Sequence, residues 1–142
     1  MMTKQYGRGQ ILKIDLSRES IVVEPIPEDL ARKYLGGEGI NSRLLWEHFL
    51  DVDPRIEPTS PDNVVIAGVG PLGATGYGAG TKMKWTFKSP LTRIFGDSSS
   101  GGAFGASLRW AGYDHVVITG RASHPVYIWA NDDEVQVHDA GH

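Results

Sequence analysis

One stretch limits this chain more than any other. It reads Lys88-Ser89-Pro90-Leu91-Thr92, then Asp97-Ser98-Ser99-Ser100-Gly101-Gly102-Ala103-Phe104-Gly105, then Ala111-Gly112-Tyr113-Asp114. Small and β-carbon-free residues cannot fill a core, so the stretch reads as a glycine- and serine-rich loop running into a short helix and a strand. Such a loop can bring main-chain N–H groups up to an anionic ligand, with a helix N-terminus adding partial positive charge.

The chain has 18 glycines in 142 residues, well above the usual ~7%. They cluster at 36–39, 68–80 and 96–105 without a period, which excludes collagen and low complexity. Two readings stand side by side: tight turns in a strand-rich domain, or backbone approach to a flat or phosphorylated ligand. No Gly-Lys-Ser/Thr ending makes a Walker A loop, and no Gly-x-Gly-x-x-Gly follows a first strand. Taken alone, Gly101-Gly102 with Gly105 is as well explained by a turn and a helix cap.

Around this stretch the pattern is mostly strands. Residues 9–16 alternate, 20–24 are β-branched, and Ser17-Arg18-Glu19 joins them as a hairpin. Pro27-Glu28-Asp29 starts a helix with Leu30, Tyr34 and Leu35 as its apolar stripe, and Gly36-Gly37 stops it. A second helix covers about 40–49, with Ile40, Leu44, Leu45 and Phe49 at helical spacing and Asn41 or Ser42 as a cap. Residues 51–63 form a proline-bearing surface loop. Val64-Val65-Ile66-Ala67-Gly68-Val69 reads as a central buried strand. Residues 70–80 are too irregular for either element.

Lys82 to Lys88 alternates, placing Met83, Trp85 and Phe87 on one face and lysines on the other. Ile94-Phe95 is a short strand, Phe104 to Ala111 a short helix and His115 to Thr119 a strand. A final hairpin joins 126–129 to 135–138 around Asn131-Asp132-Asp133. Eight strands against three helices predict an α+β fold of two packed, mostly antiparallel β-sheets with a few short helices, rather than regular βαβ units.

The chain is long enough for one domain with its own core. A net charge of −3 gives no reason to expect nucleic-acid binding. No apolar run approaches the ~20 residues that span a bilayer, and Met1-Met2-Thr3-Lys4-Gln5-Tyr6 lacks a signal-peptide core, so a cytoplasmic location is the expectation. The chain has no cysteine, hence no disulfide and no cluster ligand of its own.

Of His48, His115, His124, His138 and His142, only the last two share i, i+4 spacing, which makes no metal set. The carboxylate pairs Glu28-Asp29, Asp51/Asp53 and Asp132-Asp133 read as solvated helix starts and turns, and no Ser-His-Asp arrangement follows from spacing. Lys82, Lys84 and Lys88 form a basic strand face, read either as a solvated edge that discourages pairing or as a surface near a phosphate or cluster. Nothing supports self-sufficient catalysis, and no catalytic residue is assigned.

A longer set of matches is more specific. Tyr6-Gly7-Arg8-Gly9-Gln10-Ile11-Leu12-Lys13-Ile14-Asp15-Leu16 is followed by Tyr34-Leu35-Gly36-Gly37, Gly39, Leu44-Leu45 and Asp53-Pro54. Then come Ser60-Pro61-Asp62-Asn63, Gly70-Pro71-Leu72, Lys88-Ser89-Pro90-Leu91-Thr92, Ser100-Gly101-Gly102, Phe104-Gly105, Ala111-Gly112-Tyr113-Asp114 and Pro125-Val126-Tyr127. In order and interval these resemble the N-terminal domain of the aldehyde ferredoxin oxidoreductase family of tungsten or molybdenum pterin enzymes.

The resemblance implies that residues 1–142 are most of a cofactor-base domain. The bis-pterin cofactor (tungstopterin or molybdopterin, with magnesium) would lie between it and later helical domains, which carry the 4Fe-4S cluster ligands and are absent from this chain. It implies cofactor contact at Lys82, Ser99, Ser100, Gly101 and Gly102, with the Ser99 backbone carbonyl toward magnesium. Similar enzymes oxidise aldehydes to acids and pass electrons to ferredoxin. Three positions depart from the family pattern: Lys82 stands where the family has arginine, Ser99 where it has asparagine, and Glu38 where arginine is usual. Lysine keeps the charge but loses the planar fork.

The expected partners are the remaining domains of the same enzyme and ferredoxin, with neither nucleic acid nor membrane. This chain alone is expected to be inactive, and to self-associate through the face that later domains would cover. A free-standing binding or assembly module without activity is the alternative. A ligand-free structural domain is the blandest reading.

Overall fold

The computed structural model describes residues 9–78 and 80–141. The Tyr6-Gly7-Arg8 match and His142 lie outside them. The strands are β1 (Gln10–Asp15), β2 (Ser20–Pro25), β3 (Val64–Val69), β4 (Met83–Lys88), β5 (Phe95–Ser100), β6 (His115–Thr119), β7 (Val126–Asn131) and β8 (Glu134–Asp139), and all but β5 lie where alternation and β-branching were expected to put them. The helices are α1 (Glu28–Tyr34), α2 (Glu38–Asp51) and α3 (Phe104–Trp110). The strands make a six-stranded sheet, ordered β2-β1-β6-β3-β4-β5, and a β7-β8 hairpin. Every pairing is antiparallel except β1 with β6.

The strand period of two divides the large sheet into two apolar faces. Val64, Ile66 and Val117 face α2, which lays Leu44, Leu45 and Phe49 against them. Leu12, Ile14, Ala67, Val69, Met83 and Val116 face the other way, onto Leu108 of α3 and onto Ile128, Ala130, Val135 and Val137 of the hairpin. The hairpin is thus the second packed sheet of the expected fold. A central sheet covered on both faces explains why β3 is apolar throughout.

Three local expectations are corrected. Residues 97–100 are not loop: Phe95–Ser100 pairs along its whole length with β4, Met83 opposite Ser100 and Lys88 opposite Phe95. Lys84 and Lys88 do not form a free basic face or a solvated edge, because β4 lies between β3 and β5; Lys82 alone stays exposed, just before β4. Lys88 is buried, its Nζ donating to the carbonyls of Pro54 (2.5 Å) and Ile56 (2.7 Å). Lys84 pairs with Asp97 (2.7 Å) and Glu38 (3.0 Å). Finally, α2 starts at Glu38, and Asn41 does not cap it: the residue is fully buried and its side chain crosses to the sheet.

Candidate functional site

The strand register places one set of strand ends together. Val69 pairs with Met83, Met83 with Ser100, Gly68 with His115, Ile11 with His115 and Gln10 with Pro25. The end of β3, the starts of β4, β6 and β1, and the ends of β2 and β5 therefore share one end of the large sheet. The glycine-rich segments 36–37, 70–80 and 101–102 all emerge there.

The glycines now separate into two kinds. An added Cβ at Gly73 would run into the Val69 side chain, and one at Gly80 would lie 2.5 Å from the Leu72 carbonyl oxygen. These two are required by the fold. At Gly70, Gly76, Gly78, Gly101 and Gly102 an added Cβ meets nothing within 4 Å. Internal packing does not call for a missing side chain at those five positions. They lie in the two segments whose glycine content the sequence left open to either reading. Gly76 and Gly102 also have φ of +80° and +87°, which favours glycine on backbone grounds.

The framework of this end is rigidly tied. Arg109 of α3 donates from Nη1 to the carbonyls of Gly70 (2.9 Å), Pro71 (2.7 Å) and Gly73 (3.0 Å), and its Nε pairs with Asp114 at 3.3 Å. One cation thus stitches the 70–73 turn to the start of β6. The Gly37 N–H donates to the Val69 carbonyl (3.1 Å), which holds the α1–α2 connection against the same turn. At Gly105 an added Cβ would sit 3.1 Å from the Thr81 carbonyl, so α3 packs closely on the residues leading into β4.

The five residues singled out for cofactor contact fall together. Lys82 is exposed and directly precedes β4, while Ser99 and Ser100 end β5, so Lys82 and Gly101 leave the β4–β5 ladder side by side. Ser99, Gly101 and Gly102 are exposed. Ser99 stands on an edge strand, where alternate backbone groups have no partner strand. The Ser100 hydroxyl accepts from Trp85 Nε1 (3.0 Å), and Trp85 stacks on Phe104 with centroids 6.3 Å apart. Glu38, the third departure from the family pattern, occupies the first turn of α2 and is spent on Lys84. Among the described residues no group of three histidine, aspartate or glutamate side chains could hold a metal.

A profile of the aldehyde ferredoxin oxidoreductase N-terminal domain matches residues 11–142. The chain belongs to the aldehyde ferredoxin oxidoreductase family. It is 41% identical to a tungsten-containing aldehyde ferredoxin oxidoreductase of Pyrococcus furiosus, over 96% of this chain and 22% of that protein. It is 33% identical to the aliphatic sulfonate oxidoreductase WOR-like subunit of the same organism, over 93% of this chain and 21% of that one. Among solved structures it resembles the active-site complex BamBC of benzoyl coenzyme A reductase with bound 1,5-dienoyl-CoA. There the TM-score is 0.88 at 32% identity, over 99% of this chain and 21% of that one. The chain thus corresponds to the N-terminal domain of such enzymes and spans about a fifth of their length.

Sequence reasoning missed one feature of this end of the sheet. Asn41 and His115 are both fully buried and lie 2.8 Å apart, Oδ1 to Nδ1. The Asn41 amide nitrogen donates to the carbonyls of Lys84 (3.0 Å) and Ile66 (3.4 Å). Carbonyls only accept, so the amide oxygen must face the histidine. The one available signal was a polar residue among the apolar positions of α2.

Proposed function

We propose that this chain is the pterin-supporting part of a tungsten or molybdenum pterin iron–sulfur oxidoreductase. The observation that carries the reading is the group of five glycines with open space before them, gathered at one end of the sheet. A cradle without β-carbons lets a flat or phosphorylated ligand touch the backbone. The residues present fit that group: Gly101 and Gly102 would supply bare backbone, the Ser99 backbone carbonyl would serve magnesium, and Lys82 would supply the cation between pterin and cluster. When bound, the cofactor supplies two-electron redox chemistry, while the protein binds and orients it. Lys82 does this as a point charge, without the bidentate geometry of an arginine.

Proteins that share this domain are named for aldehydes, aliphatic sulfonates and glyceraldehyde-3-phosphate. Such a spread suits a domain that serves a common cofactor and leaves substrate choice to the rest of the enzyme. Oxidation of aldehydes to acids, with ferredoxin as acceptor and a 4Fe-4S cluster in later domains, is the activity proposed for the whole protein. Tyr77, Leu72 and Phe104 expose 55–70% of their surface in or beside the glycine segments. The later domains would cover them, and without that cover the isolated chain would self-associate.

Extraction of the protein from its native source tests this reading. Tungsten or molybdenum should co-purify with a fluorescent oxidised pterin, at about two pterins per metal for a bis-pterin cofactor. Metal-free and pterin-free material would favour the free-standing binding or assembly module instead.

A further inference from the structure

The large sheet ends on two edge strands, β5 beside the glycine segments and β2 at the far side. An uncovered edge is a row of unpaired N–H and C=O groups, which proteins blunt with charge, bulges or short length. β5 is polar, with Asp97 and three serines. β2 is the reverse. Its middle is Ile21-Val22-Val23, three β-branched apolar residues in a row, exposed by 37%, 52% and 44%. Its one charged side chain, Glu24, pairs with Lys13 of β1 at 2.5 Å.

The β1–β2 ladder fixes which backbone groups of this edge are free. The Ile26 N–H donates to the Gly9 carbonyl, and the register sets Val22 opposite Lys13 and Ser20 opposite Asp15. Even-numbered residues of β2 therefore point their N–H and C=O groups at β1, and odd-numbered ones point outward. Pro25, which has no N–H, falls on the outward side, where an edge strand tolerates it. The N–H and C=O groups of Ile21 and Val23 also face outward, with no partner strand among the described residues.

These groups are self-complementary. A second β2, running antiparallel about a two-fold axis at Val22, would set Ile21 opposite Val23 of the other copy and Val23 opposite its Ile21. Both are hydrogen-bonded pairs, so the four free groups of each copy are all used. The side chains match as well. Ile21 and Val23 share the sheet face of Ile14 and Leu12, and Val22 lies on the other, so both faces bring β-branched side chains together. Glu24 falls opposite Ser20, and no like charges meet. Other registers fit worse. An axis at Val23 would set Pro25 opposite Ile21 and leave a carbonyl without a donor. One at Ile21 would set Val23 against Glu19, whose φ of +52° belongs to the turn.

We propose that β2 is a dimerisation edge, where two copies of this chain pair β2 with β2 and join their six-stranded sheets into one. The contact lies at the opposite edge of the sheet from β5 and does not depend on the pterin reading.

The chain has no cysteine, so single introduced thiols can report the register. Val22→Cys places two thiols across the axis, in a non-hydrogen-bonded pair with Cα atoms about 4.5 Å apart, within disulfide reach. Ser20 is also exposed, but Ser20→Cys would stand about 14 Å from its twin, beyond the ~7 Å limit. Mild oxidation of the folded chain should link the first variant into a covalent dimer and not the second. Val22→Lys sets two ammonium groups opposite each other at an exposed position, and should weaken the dimer at least about tenfold in sedimentation equilibrium. Equal linking of the two thiol variants, no linking at Val22→Cys, or association undiminished by Val22→Lys would each overturn the proposal.

Discussion

Gly68→Ala is expected to destabilise the chain by about 3 kcal/mol or more. Gly68 sits mid-sheet opposite His115 and Lys84. A Cβ there would fall 2.6 Å from His115 Cε1, and closer still to His115 Nδ1 and Asn41 Oδ1. Neither partner can retreat. Asn41 is held by two carbonyls and by Thr86 Oγ1 (3.3 Å), and all three side chains are fully buried. The added methyl therefore overpacks the interface of α2 with the sheet and also breaks the hydrogen bond between Asn41 and His115. Buried groups left unpaired in this way cost more than the bond they lose. Urea unfolding of the two proteins measures the difference, and a loss below about 1 kcal/mol would mean that the buried pair is not the rigid unit described.

Acid should act on the same pair. Burial lowers the His115 pKa from 6.5 to about 4. Between those values the unfolded chain binds a proton that the folded chain refuses, so stability rises with pH across the window. In the other direction, stability is lost progressively as pH falls from about 6.5 to about 4, by about 3 kcal/mol in all. Asp114, beside His115, works in the opposite sense: burial raises its pKa, outweighing the Arg109 charge and the Gln10 hydrogen bond, so its protonation favours the folded state at the acid end. Denaturant midpoints at pH 7 and pH 4.5 give the size of the effect, and the His115 ring resonances give its source. A His115 that titrates near 6.5 in the folded chain would contradict the assignment.

These two effects centre on residues that composition and periodicity did not single out, and the reason is physical. Strand and helix positions were legible because apolar periodicity marks burial, and β3 and β6 announce themselves as valine- and isoleucine-rich runs. β5 was not legible: Gly96-Asp97-Ser98-Ser99-Ser100 has almost no intrinsic strand preference. Its conformation is imposed by β4, with Lys84 gripping Asp97 on one face and Trp85 gripping Ser100 on the other. Sheet order was equally hidden, because β1 reaches its parallel partner β6 across a hundred residues.

The glycines illustrate the boundary most clearly. In sequence, Gly68 and Gly101 are the same symbol. In the fold one has the Asn41–His115 pair pressed against its missing side chain, and the other faces open space. Family motifs directed attention to Gly101 and Gly102, but only the packing distinguishes a glycine that the fold requires from one left open for a ligand.

The central claim is that open backbone at 101–102 receives the pterin cofactor. It is tested most directly by the tungsten (or molybdenum) and pterin content of the full-length enzyme carrying Gly101→Val, compared with wild type. An added Cβ there meets no atom of this domain within 4 Å, so the variant should fold with an unchanged circular dichroism spectrum. Its branched side chain should nevertheless hold the cofactor off the backbone, reducing bound metal and pterin together by at least about tenfold. Full metal and pterin occupancy in that folded variant would contradict the claim.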